Sequence, residues 1–206
     1  MTLARELKRK SIHLTTSVVP LAYAAGLPRG WTIALLGGAS GVMLLVEALR
    51  HDDHPPGRLF RRLFEPILRD KEKRRSMIPG AASAPPRWLG ATPYCLASLF
   101  CVVSFPKPIA VLALLYLAIG DTAASFVGMT WGRRRVGEKS LEGTAALVLA
   151  AGFVALLARS LSPAYPPLLV AWAGGVAAAL AELFLIAWDD NLSIPVTAAV
   201  TMSLLM

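Results

Sequence analysis

The feature that most constrains this chain is a succession of apolar runs, each at or near the length needed to cross a lipid bilayer. A helix rises about 1.5 Å per residue, so roughly 20 apolar residues span the ~30 Å hydrocarbon layer. Seven segments approach or meet that bound: 11–25, 31–49, 89–105, 108–130, 143–161, 168–188 and 192–206. The middle five meet it; the first and last, of about 15 residues, fall short. Within lipid every backbone polar group needs a partner inside the protein, and runs of this length satisfy that requirement as helices. The expectation is an all-α, polytopic integral membrane protein with about seven transmembrane helices, forming a single membrane-embedded domain over residues 1–206. The first run leads straight into the second with no small-residue cleavage site, so it reads as a span and not as a removed signal.

Composition supports this. The chain is 55% hydrophobic and 17% charged, against ~45–50% apolar and ~25% charged in soluble domains. Disorder is excluded and a soluble enzyme is disfavoured. Cys95 and Cys101 lie in one apolar run and read as small buried hydrophobes, not as a disulfide framework.

The net charge of +8 is a matter of topology. With alternating spans, one side collects four Lys and Arg at the N-terminus, ten in residues 50–88 and four in residues 131–142. The other side holds Arg29, Lys107 and Arg159. The positive-inside rule makes the first side cytoplasmic, N-terminus included, with a basic insert at about 50–88. Nucleic-acid binding is the weaker reading of these charges, and no nucleic acid is expected as a partner. Within the insert, Arg58 to Arg75 interleaves basic residues with Phe60, Leu63, Phe64, Ile67 and Leu68. It reads either as an amphipathic helix on the membrane surface or as a solvated run that only sets topology. Usage rich in Ala, Arg and Pro, without a targeting segment, points to a prokaryotic plasma membrane.

Three acids fall inside apolar runs: Glu47, Asp121 and Glu182. A carboxylate at the bilayer centre costs on the order of 2.5–3.5 kcal/mol, so such residues are functional candidates. Glu47 lies one turn from the end of its span and can reach water. Asp121 lies about 15 Å along its helix from Trp131 and needs a protein-lined or wet cavity. Glu182 shares a helical face with Asp189. Asp121, Ala124, Ser125, Gly128 and Gly132 form a small, polar stripe, suited to close helix packing or to a ligand approaching the backbone. The basic loop Arg133-Arg134-Arg135-Val136-Gly137-Glu138-Lys139-Ser140 opens the next helix. A helix N-terminus, a lysine and a hydroxyl suit polyphosphate, although Ser140 also suits an ordinary helix cap. No Walker A pattern occurs. Near the N-terminus Glu6, Arg9, Lys10 and His13 share one polar stripe; Arg9 and Lys10 would serve a site or anchor the span at the headgroups. Asp189-Asp190-Asn191 places consecutive carboxylates on the basic side, in the manner of Mg²⁺ ligands.

Taken together, ELKRKSIH (6–13), LRDKE (68–72) before GAT (90–92), GDTAASFVGMTWG (120–132), EKSLEG (138–143) and AELFLIAWDDNLSIP (181–195) resemble the CTP-dependent polyprenol and lipid kinases. That family includes dolichol kinase, phytol kinase and the CTP-using diacylglycerol kinase. The stretch SMIPGAASAPPRW (76–88) and Pro93 depart from the family pattern. The resemblance implies transfer of the γ-phosphate of CTP to a membrane lipid alcohol with the help of a divalent cation. It implies nucleotide and metal roles for Asp121, Gly128, Gly132, Lys139, Ser140, Glu142 and Gly143, with Gly120 opening the motif. Arg9 and Lys10 match the family's basic pair, and Asp189, Asp190 and Asn191 its last acidic motif.

On this reading Asp121, with Asp189 or Asp190, holds Mg²⁺ on the CTP phosphates, and Glu182 joins the metal ligands. Lys139 and Arg9 or Lys10 neutralise developing charge, with Glu142 alongside. The general base is left open between Asp121 and Glu182. The same core also looks like CDP-diacylglycerol synthase, a cytidylyltransferase, but the Gly-His-Gly-Gly and Asp-Arg ending of that family is absent. A transporter using Asp121 and Glu182 as ion sites is the third reading. The polar residues collect at one surface and no internal repeat is found, which disfavours it.

Overall fold

The computed structural model describes residues 10, 11, 13–50, 88–184 and 189–206. Arg9, Glu6, Trp188 and the basic stretch 58–75 lie outside the described residues. After helical residues 13–15, the elements in chain order are α1 (Val18–Ala24), α2 (Arg29–Arg50), α3 (Ala91–Ser104), α4 (Lys107–Leu115), a π-helical turn (Tyr116–Gly120) and α5 (Asp121–Thr130). A hairpin of β1 (Arg135–Val136) and β2 (Lys139–Ser140) follows, then α6 (Leu141–Leu161), α7 (Leu168–Phe184) and α8 (Asp190–Leu204).

Three helical stretches are long and apolar enough to cross a membrane: Arg29–Ala48, Lys107–Thr130 and Leu141–Leu161. Ala91–Ser104 and Leu168–Phe184 are shorter apolar helices. These five correspond to the five middle apolar runs. The Lys107–Thr130 stretch is the most enclosed of the three and forms the centre. Large apolar side chains such as Trp31, Leu35, Leu149, Phe153, Leu161 and Leu169 are exposed around the outside. Such a perimeter is unfavourable in water and suited to lipid.

Small residues bring the helices close, as expected where lipid gives no hydrophobic drive between helices. α7 packs on both α6 and α8. A Cβ at Gly174 would stand 2.6 Å from Met202 of α8, and one at Gly175 would stand 2.6 Å from the Ala151 Cβ of α6. Ala178, Ala179, Ala198 and Ala199 are fully buried between them. α2 packs on α3, where the Glu47 carboxylate accepts hydrogen bonds from the Leu89 N–H and the Thr92 hydroxyl. Glu47 therefore serves the start of α3 and does not simply reach water. Cys101 is buried and both cysteines are free.

The three cations assigned to the outer side are each engaged locally. Arg29 donates to the carbonyls of Val102 and Val103, Arg159 to those of Pro163 and Tyr165, and the Lys107 ammonium lies 5.1 Å from the Tyr23 ring centroid.

The fold is mostly helical, consistent with the all-α expectation, and the loop opening α6 closes as a short two-stranded antiparallel hairpin, pairing Arg135 with Ser140 and Val136 with Lys139. Its two-residue connection is Gly137-Glu138, and Gly137 has φ +61°. Glycine at the first central position is the preference of a tight type II′ hairpin turn. A strand two residues long leaves no alternating pattern to read in the sequence.

Candidate active site

Asp121 begins α5 because the helix changes pitch just before it. The π-helical turn Tyr116–Gly120 replaces one turn of α-helix in the central stretch. Such turns add a residue and are frequent at functional sites. The Tyr116 hydroxyl donates to the Ala171 carbonyl at 3.0 Å, tying the turn to α7, and the Thr122 hydroxyl donates to the Ala118 carbonyl at 2.7 Å. Gly120 lies against Leu147 of α6, where an added Cβ would stand 3.1 Å from the Leu147 Cγ.

Asp121 is 4% exposed. The Lys10 ammonium donates to Asp121 Oδ2 and, at 3.4 Å, to its main-chain carbonyl. His13 Nε2 lies 3.6 Å from the same oxygen, and the His13 ring stands edge-on to Tyr94. Lys10, expected to serve a site or to anchor at the headgroups, therefore lies against the central helix at Asp121. His13 joins Lys10 at Asp121, as its i, i+3 place on the same polar stripe allows.

The hairpin supplies the second cation. Successive strand residues point to opposite sides, so β2 sends Lys139 one way and Ser140 the other. The Lys139 ammonium lies 2.7 Å from Glu182 Oε1 of α7 and 2.7 Å from Asp190 Oδ2 of α8. Burial works against its charge, but Asp190 and Glu182 outweigh that and hold Lys139 above its ordinary lysine value. It is an ammonium at neutral pH.

Ser140 faces a cleft between α5 and α6. Its hydroxyl accepts from the Gly143 N–H at 3.1 Å and caps α6. Added Cβ atoms at Gly128, Gly132 and Gly143 would stand 2.9, 2.8 and 3.1 Å from the Ser140 Oγ. These glycines let the two helices and the cap close on one another. Gly128, Gly132, Gly143 and Ser140 thus pack together next to Lys139 in the sequence-predicted nucleotide motif. The Glu142 carboxylate accepts the Arg134 N–H at 3.2 and 3.3 Å and steadies the start of the hairpin.

Asp121, Glu182 and Asp190 each present a carboxylate oxygen, and these oxygens lie within 4.8 Å of one another. They come from three separate helices: Asp121 from the first residue of α5, Glu182 from the last turn of α7 and Asp190 from the first residue of α8. Asp121 Oδ1 and Glu182 Oε2 are buried and have no hydrogen-bond partner among the described residues. Buried acceptors without partners are uncommon and call for a ligand or water. An all-oxygen, carboxylate-rich donor set fits a hard divalent cation such as Mg²⁺.

Asp189 stands apart from this group. In extended conformation, it caps α8, its Oδ1 accepting from the Asn191 N–H at 3.0 Å and the Asn191 side-chain amide at 2.8 Å. Asn191 also donates to the Gly90 carbonyl at 3.0 Å. The pair ties the start of α8 to the start of α3, leaving Asp190 to face Lys139.

No family model and no solved structure matches the chain. Curated proteins do. A CTP-dependent diacylglycerol kinase of Schizosaccharomyces pombe is 30% identical over 164 residues, covering 72% of this chain and 69% of the relative. A phytol kinase of Synechocystis is 31% identical over 206 residues, covering 94% and 77%. An uncharacterized protein of Rickettsia prowazekii is 24% identical over 196 residues, covering 93% and 90%. The chain belongs to the CTP-dependent lipid kinase family.

Proposed function

We propose that this protein is a CTP-dependent lipid kinase that transfers the γ-phosphate of CTP to a membrane-embedded long-chain alcohol: a polyprenol, dolichol or phytol-like alcohol, or diacylglycerol. The observation that carries the reading is the meeting of Asp121, Glu182 and Asp190 with Lys10 and Lys139 within an apolar helical bundle. Phosphoryl transfer asks mainly for positioning and charge neutralisation, with little covalent chemistry from the protein. Asp121, Glu182 and Asp190 would hold a divalent cation, Mg²⁺ in the simplest case, which supplies charge neutralisation on the phosphates of CTP when bound. Lys10 and Lys139 place two positive charges beside the same position, where they orient and stabilise the anionic group in flight. The alcohol oxygen forms the new bond to the γ-phosphorus, the bond to the β-phosphate oxygen breaks, and CDP leaves.

The alcohol's tail stays in the bilayer against the exposed apolar perimeter, and its hydroxyl meets the nucleotide at the membrane surface. The charge distribution supports seven spans with the site and the N-terminus cytoplasmic, in a prokaryotic plasma membrane, with residues 50–88 as a basic insert in one kinase domain. Asp121 or Glu182 would receive the alcohol proton if a base is needed. The test is to incubate purified protein with γ-labelled CTP and Mg²⁺ in vesicles carrying one candidate alcohol at a time. Label in the extracted lipid for at least one alcohol is expected; no lipid label with any of them would overturn the reading.

A further inference from the structure

We propose that Lys139 is an internal stand-in for the divalent cation, displaced from Glu182 and Asp190 when the cation loads and thereby turned toward the incoming polyphosphate. The proposal rests on the cation site described above and goes beyond it by making cation and lysine mutually exclusive occupants.

The ammonium of Lys139 lies equally close, at 2.7 Å, to an oxygen of Glu182 and an oxygen of Asp190. It thus supplies a positive charge between those two carboxylates. Asp121 Oδ1 and Glu182 Oε2, which have no hydrogen-bond partner among the described residues, are both buried. The cluster therefore has acceptors to spare on its inner side, while its outer side is filled by Lys139. A divalent ion drawn to those inner oxygens would lie next to the ammonium, and like charges at such separation repel strongly where water is scarce.

The two lysines differ in their freedom to respond. Lys10 has a side chain only 6% exposed and is held on both the carboxylate and the main-chain carbonyl of Asp121. Lys139 is 26% exposed, its partner Asp190 is 27% exposed, and it stands beside the Gly137 turn of a two-residue strand. A long, flexible stem with three rotatable donors lets the ammonium swing outward while Ser140 keeps the backbone in place. The lysine that moves is thus the one at the open side of the cluster, and there it meets phosphate. Cation and nucleotide binding are then coupled, each favouring the other.

Titration with Mn²⁺, followed by loss of the free-ion paramagnetic signal, tests this on the full chain in detergent without nucleotide. Lys139→Met should bind Mn²⁺ about tenfold more tightly than the unaltered protein, an ordinary size for coupling between sites, and Lys139→Arg should stay near it. An affinity unchanged or weakened in Lys139→Met would overturn the exchange while leaving the kinase reading standing. A second measurement needs no variant: Mn²⁺ should speed acylation of Lys139 by an amine-directed reagent several-fold, read by mass spectrometry. Unchanged or slower acylation under Mn²⁺ would overturn the exchange. Failure of the unaltered protein to bind Mn²⁺ at all, with or without CTP, would overturn both the exchange and the cation assignment.

Discussion

Lys10 and Asp121 stand 111 residues apart in the chain, and their side chains meet in an ion pair with both partners almost wholly buried. This pair fastens the N-terminal stretch to the central helix. It also fixes one positive and one negative group at the innermost part of the site.

Breaking a buried pair by removing one partner strands a charge in a low dielectric, at about 3–5 kcal/mol, whereas removing both is far less costly. Lys10→Met and Asp121→Asn should each lower thermal stability in detergent, and the double variant should recover most of the loss. Activity should stay absent in every protein carrying Asp121→Asn. Near-normal turnover of Asp121→Asn at saturating Mg²⁺ would remove Asp121 from the metal site.

The π-helical turn offers a second handle. Deleting Ala118 should remove the residue that the wide turn adds and restore regular α-helix, leaving Asp121 at nearly its present phase relative to α4. The expected product inserts normally and still binds Mn²⁺. Loss of Mn²⁺ binding would show that the turn itself aims the carboxylate.

Glycine positions separate cleanly. A Cβ at Gly132 would stand 2.2 Å from the Gly128 carbonyl oxygen, so Gly132→Ala should cost about 1–3 kcal/mol through overpacking and reduce activity by displacing the hairpin. Gly37 and Gly38 of α2 have nothing within 4 Å of an added Cβ. Alanine there should be neutral or raise stability by up to ~1 kcal/mol, as expected of a helix interior. Melting temperatures compared across these variants check both halves.

Sidedness is tested by cysteine labelling in intact cells, in a background lacking Cys95 and Cys101. Arg133→Cys should resist an impermeant reagent added from outside and react after permeabilisation. Labelling from outside would invert the topology.

The apolar runs were legible because length and hydropathy alone define a span: 31–49 became Arg29–Arg50, 108–130 became Lys107–Thr130 and 143–161 became Leu141–Leu161. Asp121 and Glu182 stood out because carboxylates in such runs are costly. The pitch change before Asp121 left no trace, since it depends on i→i+5 hydrogen bonding and not on composition. The local places of Asp189 and Asp190 are readable: the first carboxylate ahead of a helix prefers the cap, leaving the second for the first turn. The stripe Gly128, Gly132 pointed correctly to close approach. What approaches is the Ser140 cap, and long-range packing of that kind is not written in local spacing.

The most direct measurement follows both ends of CTP at once. Protein in vesicles carrying its alcohol receives CTP labelled at the γ-phosphate in one tube and in the cytosine ring in another. Transfer to a neutral alcohol should put the γ-label into extractable lipid and leave the cytosine label in soluble CDP, with both changes lost in Asp121→Asn. Cytosine label in the lipid, with the γ-label released as pyrophosphate, would mean attack at the α-phosphorus and would contradict the kinase account.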